Sequence, residues 1–231
     1  MRYDRQCKNT RSEGLIVQSA EMISLAQLLE QSAARHSHLC PRQVLGVRMG
    51  LLAGRVLGLE MPNADKRLLI LVETDGCAAD AVSVATGCTV GNRRLRVLDF
   101  GKVAATFVDM RCDKAVRIAP KREIRAAAQK QATEAKSRWH AQLEAYQVMS
   151  DADLLEVQPV ELSIPLEKLL SKPGCRVNCE VCGEEIINER EVLLEGTILC
   201  RGCAGQSYYR LTEEDSCPLA YPPRALIQVP E

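Results

Sequence analysis

The stretch Cys179-Glu-Val-Cys182, separated by seventeen residues from Cys200-Arg-Gly-Cys203, decides how the C-terminal part of this chain folds. Each pair places two thiols on one tight turn, and two such turns supply four sulfur ligands in a tetrahedron around zinc. Gly183 follows the first pair directly, where the turn needs a residue without a Cβ atom. Because a closed shell of four thiolates leaves no open coordination position, the predicted zinc is structural rather than catalytic.

The charge of this segment bears on what it binds. Residues 171–212 hold five Lys and Arg against six Asp and Glu, and a zinc dication with four thiolates adds about two further negative charges. Contact with a phosphate backbone needs a cationic surface, so the composition disfavours nucleic-acid binding. A protein partner fits better, and Tyr208 and Tyr209 have the apolar bodies and polar tips that interfaces prefer. The same two tyrosines could instead cover the segment's own small core.

Composition limits the class of protein. A length of 231 residues with 46% hydrophobic residues suits one sizeable core plus a small module. Lys and Arg number 30 and Asp and Glu number 30, so the global charge favours neither nucleic acid nor an acidic membrane. We expect no membrane span and no signal peptide, since no apolar run approaches ~20 residues and the N-terminus is charged. Eleven cysteines, four of them assigned to zinc, predict a reducing, cytoplasmic compartment.

The pattern of apolar residues predicts an α+β fold, with a mixed sheet and flanking helices, plus a small C-terminal zinc-finger module. We expect a loose arm over residues 1–18, the core over 19–170, the module over 171–212 and a tail over 213–231. The predicted core elements are helices at 19–35, 41–57, 77–85, 120–149 and 166–170, and strands at 67–73, 95–99, 103–110, 115–118 and 155–163.

Three glycines recur at every fourth position of the second predicted helix, Gly46, Gly50 and Gly54. Each glycine inside a helix costs roughly 1 kcal/mol relative to alanine, so a stripe of them calls for a structural reason. Residues four apart share one face, where small residues let another backbone approach closely. The stripe therefore predicts helix pairing, and it favours a homodimer.

A second group of thiols and imidazoles lies in the predicted core. Pro41 biases Cys40 away from the helical region, so an extended segment 36–40 would bring His36, His38 and Cys40 to one face. Cys77 lies at a strand end and at the start of the third predicted helix. Helix N-termini stabilise thiolates, so Cys40 and Cys77 are placed as metal ligands or nucleophiles.

These residues predict a site unlike the closed C-terminal one. His38, Cys40 and Cys77 would make a three-ligand centre with room for water or substrate, which is the layout of a catalytic or sensing metal. His36 and Cys88 are further candidates for the same site, which would take a second transition metal. The same thiols could instead act as a redox dithiol, although the core has no Cys-x-x-Cys.

Four motifs in the core resemble the FmdE family, which takes its name from a component of formylmethanofuran dehydrogenase. They are His-Ser-His-Leu-Cys-Pro at 36–41 with Gly-Val-Arg at 46–48, Asp-Gly-Cys-Ala-Ala-Asp-Ala at 75–81, Thr-Gly-Cys-Thr-Val-Gly-Asn at 86–92, and Asp-Phe-Gly-Lys-Val-Ala at 99–104. The resemblance implies an α+β core, often in an intertwined dimer, with an added C-terminal zinc finger in some members. The four-cysteine spacing is also similar to the DksA/TraR type of finger. No particular reaction is carried over, because many family members occur outside the formylmethanofuran pathway.

The chain departs from the family pattern at two places. Arg42 stands where family members usually have glycine, and Arg93 and Arg94 replace a glycine-rich stretch. Arg42 would place a cation beside the proposed pocket, where it could gate access or contact an anion. Two functions follow: a metal-handling protein or enzyme that uses the core site, and a regulatory or adaptor protein that acts through protein contacts of the zinc module.

Overall fold

The computed structural model describes residues 23–210, so the predicted arm 1–18 and tail 213–231 lie outside the described residues. The chain divides into two units, one ending at Leu169 and the other beginning at Leu170. The first is a mixed sheet with flanking helices, and the second holds short hairpins with four neighbouring cysteines. The predicted α+β class is confirmed.

The sheet of the first unit has five strands in the order β2-β1-β3-β4-β5. β1 pairs in parallel with β2, while the β1–β3, β3–β4 and β4–β5 pairs are antiparallel. Every residue of β1 is buried, as its Leu-Leu-Ile-Leu-Val sequence predicts for a central strand. The strands are β1 (Leu68–Val72), β2 (Leu95–Val97), β3 (Ala105–Asp109), β4 (Lys114–Pro120) and β5 (Leu155–Val160).

Three helices precede and follow β1: α1 (Leu25–Ala34), α2 (Pro41–Leu57) and α3 (Cys77–Thr86). The first helix begins later than its predicted start at residue 19, because Ser24 caps it by accepting a hydrogen bond from the Gln27 amide. α2 has the predicted bounds. Proline occupies its first turn and Gly58, in the left-handed region at φ 66°, ends it.

The glycine stripe of α2 faces this chain's own residues. A Cβ atom on Gly46 would lie 2.6 Å from the carbonyl oxygen of Ala78, and one on Gly50 would lie 2.7 Å from Cβ of Ala85. The stripe thus allows α2 and α3 to pack at close range, which confirms helix pairing. It gives no support to a homodimer, because residues of the same chain already cover it.

The long helix predicted for 120–149 is wrong, since two helices occupy this stretch: α4 (Ile124–Gln131) and α5 (Arg138–Val148). Ser137 starts α5 by accepting a hydrogen bond from the His140 amide. One straight helix of this length would run about 45 Å, whereas the break lets α5 bury Ala145 and Tyr146 in the core. The short helices α6 (Asp151–Leu154) and α7 (Leu166–Leu169) follow. Among residues 23–210, no helix is long and apolar enough to cross a membrane.

The second unit consists of two antiparallel hairpins and a helical turn at Gly202–Gln206. Among its described residues, 170–210, the hydrophobic cluster has three buried members, Cys179, Ile186 and Leu199. So small a core cannot hold a fold by itself, which leaves a structural role for a metal. The hairpins pair β6 (Arg176–Asn178) with β7 (Glu185–Ile187), and β8 (Val192–Leu194) with β9 (Thr197–Leu199).

Candidate metal centres

The four C-terminal cysteines form a compact group. The sulfur atoms of Cys179, Cys182, Cys200 and Cys203 all lie within 4.8 Å of one another, and the Cys182 and Cys200 sulfurs are 3.9 Å apart. Zinc–sulfur bonds of about 2.3 Å give a tetrahedron whose edges are about 3.8 Å. The group therefore has the dimensions of a four-thiolate metal site.

Backbone amides of the two turns favour the thiolate form of one of these cysteines, and the thiolate is the form that binds a metal. Hydrogen bonds from the Cys182 and Cys200 amides lower the pKa of the Cys179 thiol to about 6. The pKa of Cys203 is raised to about 12, and its hydrogen bond with Cys200 is the largest cause. Four thiols this close cannot all ionise by themselves, and a divalent cation removes the conflict.

The first unit contains a cavity of about 960 Å³ beside the end of β1. Its walls come from the start of α2, the start of α3, the loop before β3, β4 and the paired helices α4 and α5. His38, Cys40 and Cys77 all line it, so the structure brings these three predicted residues to one cavity. The cavity is within the 300–1,000 Å³ range of small-molecule sites.

Cys40 and Cys77 are neighbours at this cavity because each stands at the start of one of two packed helices. Cys40 is the N-cap residue of α2, and Cys77 is the first residue of α3. The Cys40 amide donates to Oε1 of Gln43 at 2.6 Å, while Nε2 of Gln43 donates to the Ser32 carbonyl at 2.9 Å. This buried glutamine ties the start of α2 to α1. The position of Cys77 at a helix N-terminus predicts a stabilised thiolate, and this expectation is wrong: burial raises the pKa of the Cys77 thiol, and the neighbouring Cys40 raises it further.

His36 approaches Cys77 from outside the cavity lining. Its Nδ1 lies 3.9 Å from the Cys77 sulfur, and its Nε2 lies 2.8 Å from Oδ2 of Asp80. A carboxylate on the far nitrogen of an imidazole fixes the ring and its tautomer, as it commonly does for metal-bound histidines. Two ligands on one tetrahedral zinc would be about 3.6 Å apart, so a movement of a few tenths of an ångström would let His36 and Cys77 share a metal.

The extended segment predicted for 36–40 is wrong at its start. After α1 ends, the His36 amide donates to the Ala33 carbonyl and Ser37 adopts a left-handed conformation at φ 60°. This turn separates the two histidines, so His36 meets Cys77 while His38 is exposed at the cavity. Within the described residues His38 has no hydrogen-bonded partner, and His36 has the better geometry as a ligand.

Cys88 lies away from the cavity. It is fully buried, and its sulfur donates to the Leu68 carbonyl at 3.6 Å. Cys77 opens α3 and Cys88 follows its last residue, Thr86, so a ten-residue helix of about 15 Å separates the two thiols. The structure therefore does not bring Cys88 to the predicted core site. Among residues 23–210, the four C-terminal cysteines are the group of potential ligands whose donor atoms all lie within 4.8 Å.

Two of the quoted motifs build loops, of which the one at 99–104 reaches the cavity and the one at 86–92 lies at the far end of α3. Asn92 and Thr89 exchange two hydrogen bonds, and the Arg94 side chain donates to the carbonyls of Asn63 and Gly87. The departure at Arg94 thus has a structural role, since its guanidinium holds this loop. In the other motif the Lys102 amide donates to the Glu73 carbonyl at 3.0 Å, which brings Lys102 to the end of β1 and to the cavity.

Sequence reasoning missed the contribution of α4 and α5 to the cavity. Arg122, Arg125, Trp139 and Tyr146 line it, and all come from the stretch predicted as one helix. The spacing of Trp139, Gln142 and Tyr146 puts them on one helical face, a signal that could have marked this surface. Arg48 was quoted only as part of a motif, yet its buried guanidinium donates to the carbonyls of Tyr146 and Met149 and so anchors α5.

The fold and these sites define a class: an α+β protein with a thiol-lined cavity and a separate four-cysteine metal module. Residues 35–156 match the family described as FmdE, Molybdenum formylmethanofuran dehydrogenase operon. Residues 176–209 match the prokaryotic dksA/traR C4-type zinc finger. Because the first match spans more than half of the chain, the chain belongs to the FmdE family, and both resemblances drawn from the motifs are confirmed.

Two relatives illustrate this membership. A probable S-adenosyl-L-methionine-binding protein of Archaeoglobus fulgidus is 34% identical over an alignment of 211 residues that covers 80% of this chain and 54% of the relative. This chain thus spans about half the length of that protein. The crystal structure of a tungsten formylmethanofuran dehydrogenase FmdE-like protein from Syntrophus aciditrophicus has a TM-score of 0.56 at 27% identity, covering 81% of this chain and 96% of that one.

Proposed function

We propose that this chain is a two-site metalloprotein, with a structural zinc in the C-terminal module and an open metal or reactive-thiol centre in the core. The observation that carries the core centre is the position of Cys77. Its thiol lies 3.9 Å from Nδ1 of His36 and lines, together with Cys40, a cavity large enough for a small molecule.

Zinc is the metal that best suits the C-terminal module. Four thiolates in a tetrahedron with no open position are typical of structural zinc, and the match to a C4-type zinc finger supports the same metal. The buried core of three residues needs such support. We therefore assign this metal to folding rather than to chemistry.

The core centre has a different chemical character. Two thiols and an imidazole suit soft or borderline transition metals, and three protein ligands leave a coordination position for water or substrate. Asp80 would act as a positioning residue, because its carboxylate holds Nε2 of His36 and turns Nδ1 toward Cys77. Without a metal, the raised pKa of Cys77 keeps its thiol protonated, so a nucleophilic thiolate would require the imidazole of His36 to accept that proton as a general base.

The test is the metal content per chain, measured by plasma mass spectrometry after anaerobic purification without chelators. We expect two equivalents in the wild type and one in the double variant Cys40→Ala/Cys77→Ala. Cys88→Ala is the matched control, since it removes a buried cysteine outside the cavity, and it should keep two. A wild type with a single zinc that the double variant retains would refute the core metal, and alkylation of Cys77 at neutral pH would then test the reactive-thiol form.

A second candidate function rests on the surface of the module. Val181, Leu193 and Tyr208 are 69%, 70% and 97% exposed. Exposed apolar side chains in so small a unit favour contact with another protein. An adaptor function of the module would take first place if the metal analysis finds only the zinc of the finger.

We do not propose for this chain the S-adenosylmethionine binding that the name of the Archaeoglobus protein states, because the charge of the cavity does not favour this cofactor. The cofactor carries a sulfonium, an ammonium and a carboxylate group, so that its net charge is positive. The described residues that line the cavity include no Asp or Glu that could receive the cationic groups. We therefore leave that activity with the relative.

A further inference from the structure

The lining of the core cavity has charge of one sign. Six Lys and Arg residues contribute to it, and the described lining contains no Asp or Glu. Two of the six have partners: Arg117 binds the Glu73 carboxylate, and Nζ of Lys121 donates to the Ala152 carbonyl. The cations without a hydrogen-bonded partner among the described residues are Arg42, Lys102, Arg122 and Arg125.

The backbone adds positive potential at the same place. The N-termini of α2 and α3 both meet the cavity, through Cys40 and Pro41 and through Cys77. A helix N-terminus carries about half a positive charge and unpaired amides. Gly76, the N-cap residue of α3, has no side chain that could cap these amides.

Apolar walls accompany the cations. Trp139 is 43% exposed and lines the cavity together with Leu45, Val103 and Ile124. An isolated metal ion or a free thiol would need neither these walls nor a volume of about 960 Å³. Mixed apolar and charged surfaces of this size are typical of sites for organic ligands with a few fixed polar groups.

We propose that the cavity binds a polyanionic small molecule bearing carboxylate or phosphate groups, and that this is the substrate class of the thiol centre. This inference rests on the proposed function for its second half, while anion binding itself does not. Lys102 and Arg122 hold the anionic groups, and the ligand body lies along Trp139 toward Cys77. Arg42 then contacts the anion beside Cys40, which explains a bulky cation at a position where the family pattern has glycine.

Isothermal titration calorimetry of the full chain with pyrophosphate and with citrate tests the proposal and separates phosphate from carboxylate recognition. We expect saturable binding of at least one probe, weakened as salt rises because screening shortens the range of charge interactions. The variant Lys102→Ala/Arg122→Ala should weaken that binding by at least about tenfold. Lys114→Ala/Lys130→Ala is the matched control: it removes the same charge from exposed positions outside the cavity and should leave the affinity within about twofold.

The outcomes separate this proposal from the metal centre. Absence of heat with both probes at millimolar concentration, or equal losses in the two variants, would overturn anion binding whatever the metal content. Binding that depends on Lys102 and Arg122 in a protein with one zinc per chain would support the anion site while the core metal fails. Loss of the core metal in Lys102→Ala/Arg122→Ala would count against separate roles for cations and thiols.

Discussion

Gly46→Ala tests how the two thiol-bearing helices are held together. The new Cβ atom would lie 2.6 Å from the Ala78 carbonyl oxygen and 2.7 Å from Cβ of Ala81, both below any real contact distance. Overpacking of this kind costs up to about 3 kcal/mol, and alanine recovers about 1 kcal/mol of helix propensity. The expected loss is therefore about 2 kcal/mol in the free energy of unfolding, or about 4–8 °C in Tm.

Urea denaturation followed by circular dichroism at 222 nm is the suitable assay, because the long helices belong to the first unit. Gly91→Ala is the matched control: its Cβ would meet nothing closer than 3.8 Å, so its midpoint should stay near the wild-type value. A Gly46→Ala midpoint equal to or above wild type would refute the reasoning, since it would show that α2 and α3 can separate at no cost.

Two further predictions concern the finger and a buried ion pair. Cys200→Ser should remove one zinc equivalent and make residues 175–210 sensitive to limited proteolysis, because the hydrophobic cluster within residues 170–210 has three buried members. A protease-resistant variant would contradict a structural metal. Burial alone would raise the pKa of Asp109, but hydrogen bonds from Arg67 and the Arg111 amide bring it below its usual value. A lowered folded pKa adds stability above the unfolded value of about 3.9 and loses it as pH falls through the folded value. Asp109→Asn should thus be less stable than wild type at pH 7, with a difference that narrows below about pH 4; a pH-independent difference would contradict the pairing.

Local chemistry explains which elements could be predicted. Pro41 and Gly58 delimit α2 with signals that need no tertiary context, and the observed helix ends at the predicted residue. The break between α4 and α5 has a weaker signal, the N-cap residue Ser137, because Ala, Lys, Gln and Glu favour helix throughout 121–136 without Pro or Gly. Burial of Tyr146 in the core decides that break, and burial is a property of the fold rather than of the segment.

The residues of the core site likewise include some that the sequence predicts and others that only the fold reveals. Cys40 and Cys77 could be predicted because Cys40 precedes α2 and Cys77 is the first residue of α3. The prediction that Cys88 joins them failed, because Cys88 follows the C-terminal end of α3. The contact of His36 with Cys77 depends on the left-handed conformation of Ser37. The sequence does not predict this conformation, because it is typical of Gly rather than of Ser. The cationic wall beside α4 and α5 could not be predicted, because it depends on how these two helices pack against each other and how α5 packs against α2.

The two thiols at opposite ends of α3 differ in their access to solvent, so their labelling rates would report two different motions of this molecule. Cys77 is open to the cavity, whereas Cys88 is sealed at 0% exposure. A thiol-specific label would therefore mark Cys77 in the native protein and reach Cys88 only when the surrounding core opens. The labelling rate of Cys88 would measure how often the core opens in the native state, and the rate of Cys77 would measure access to the cavity. Mass spectrometry of one sample would give both rates.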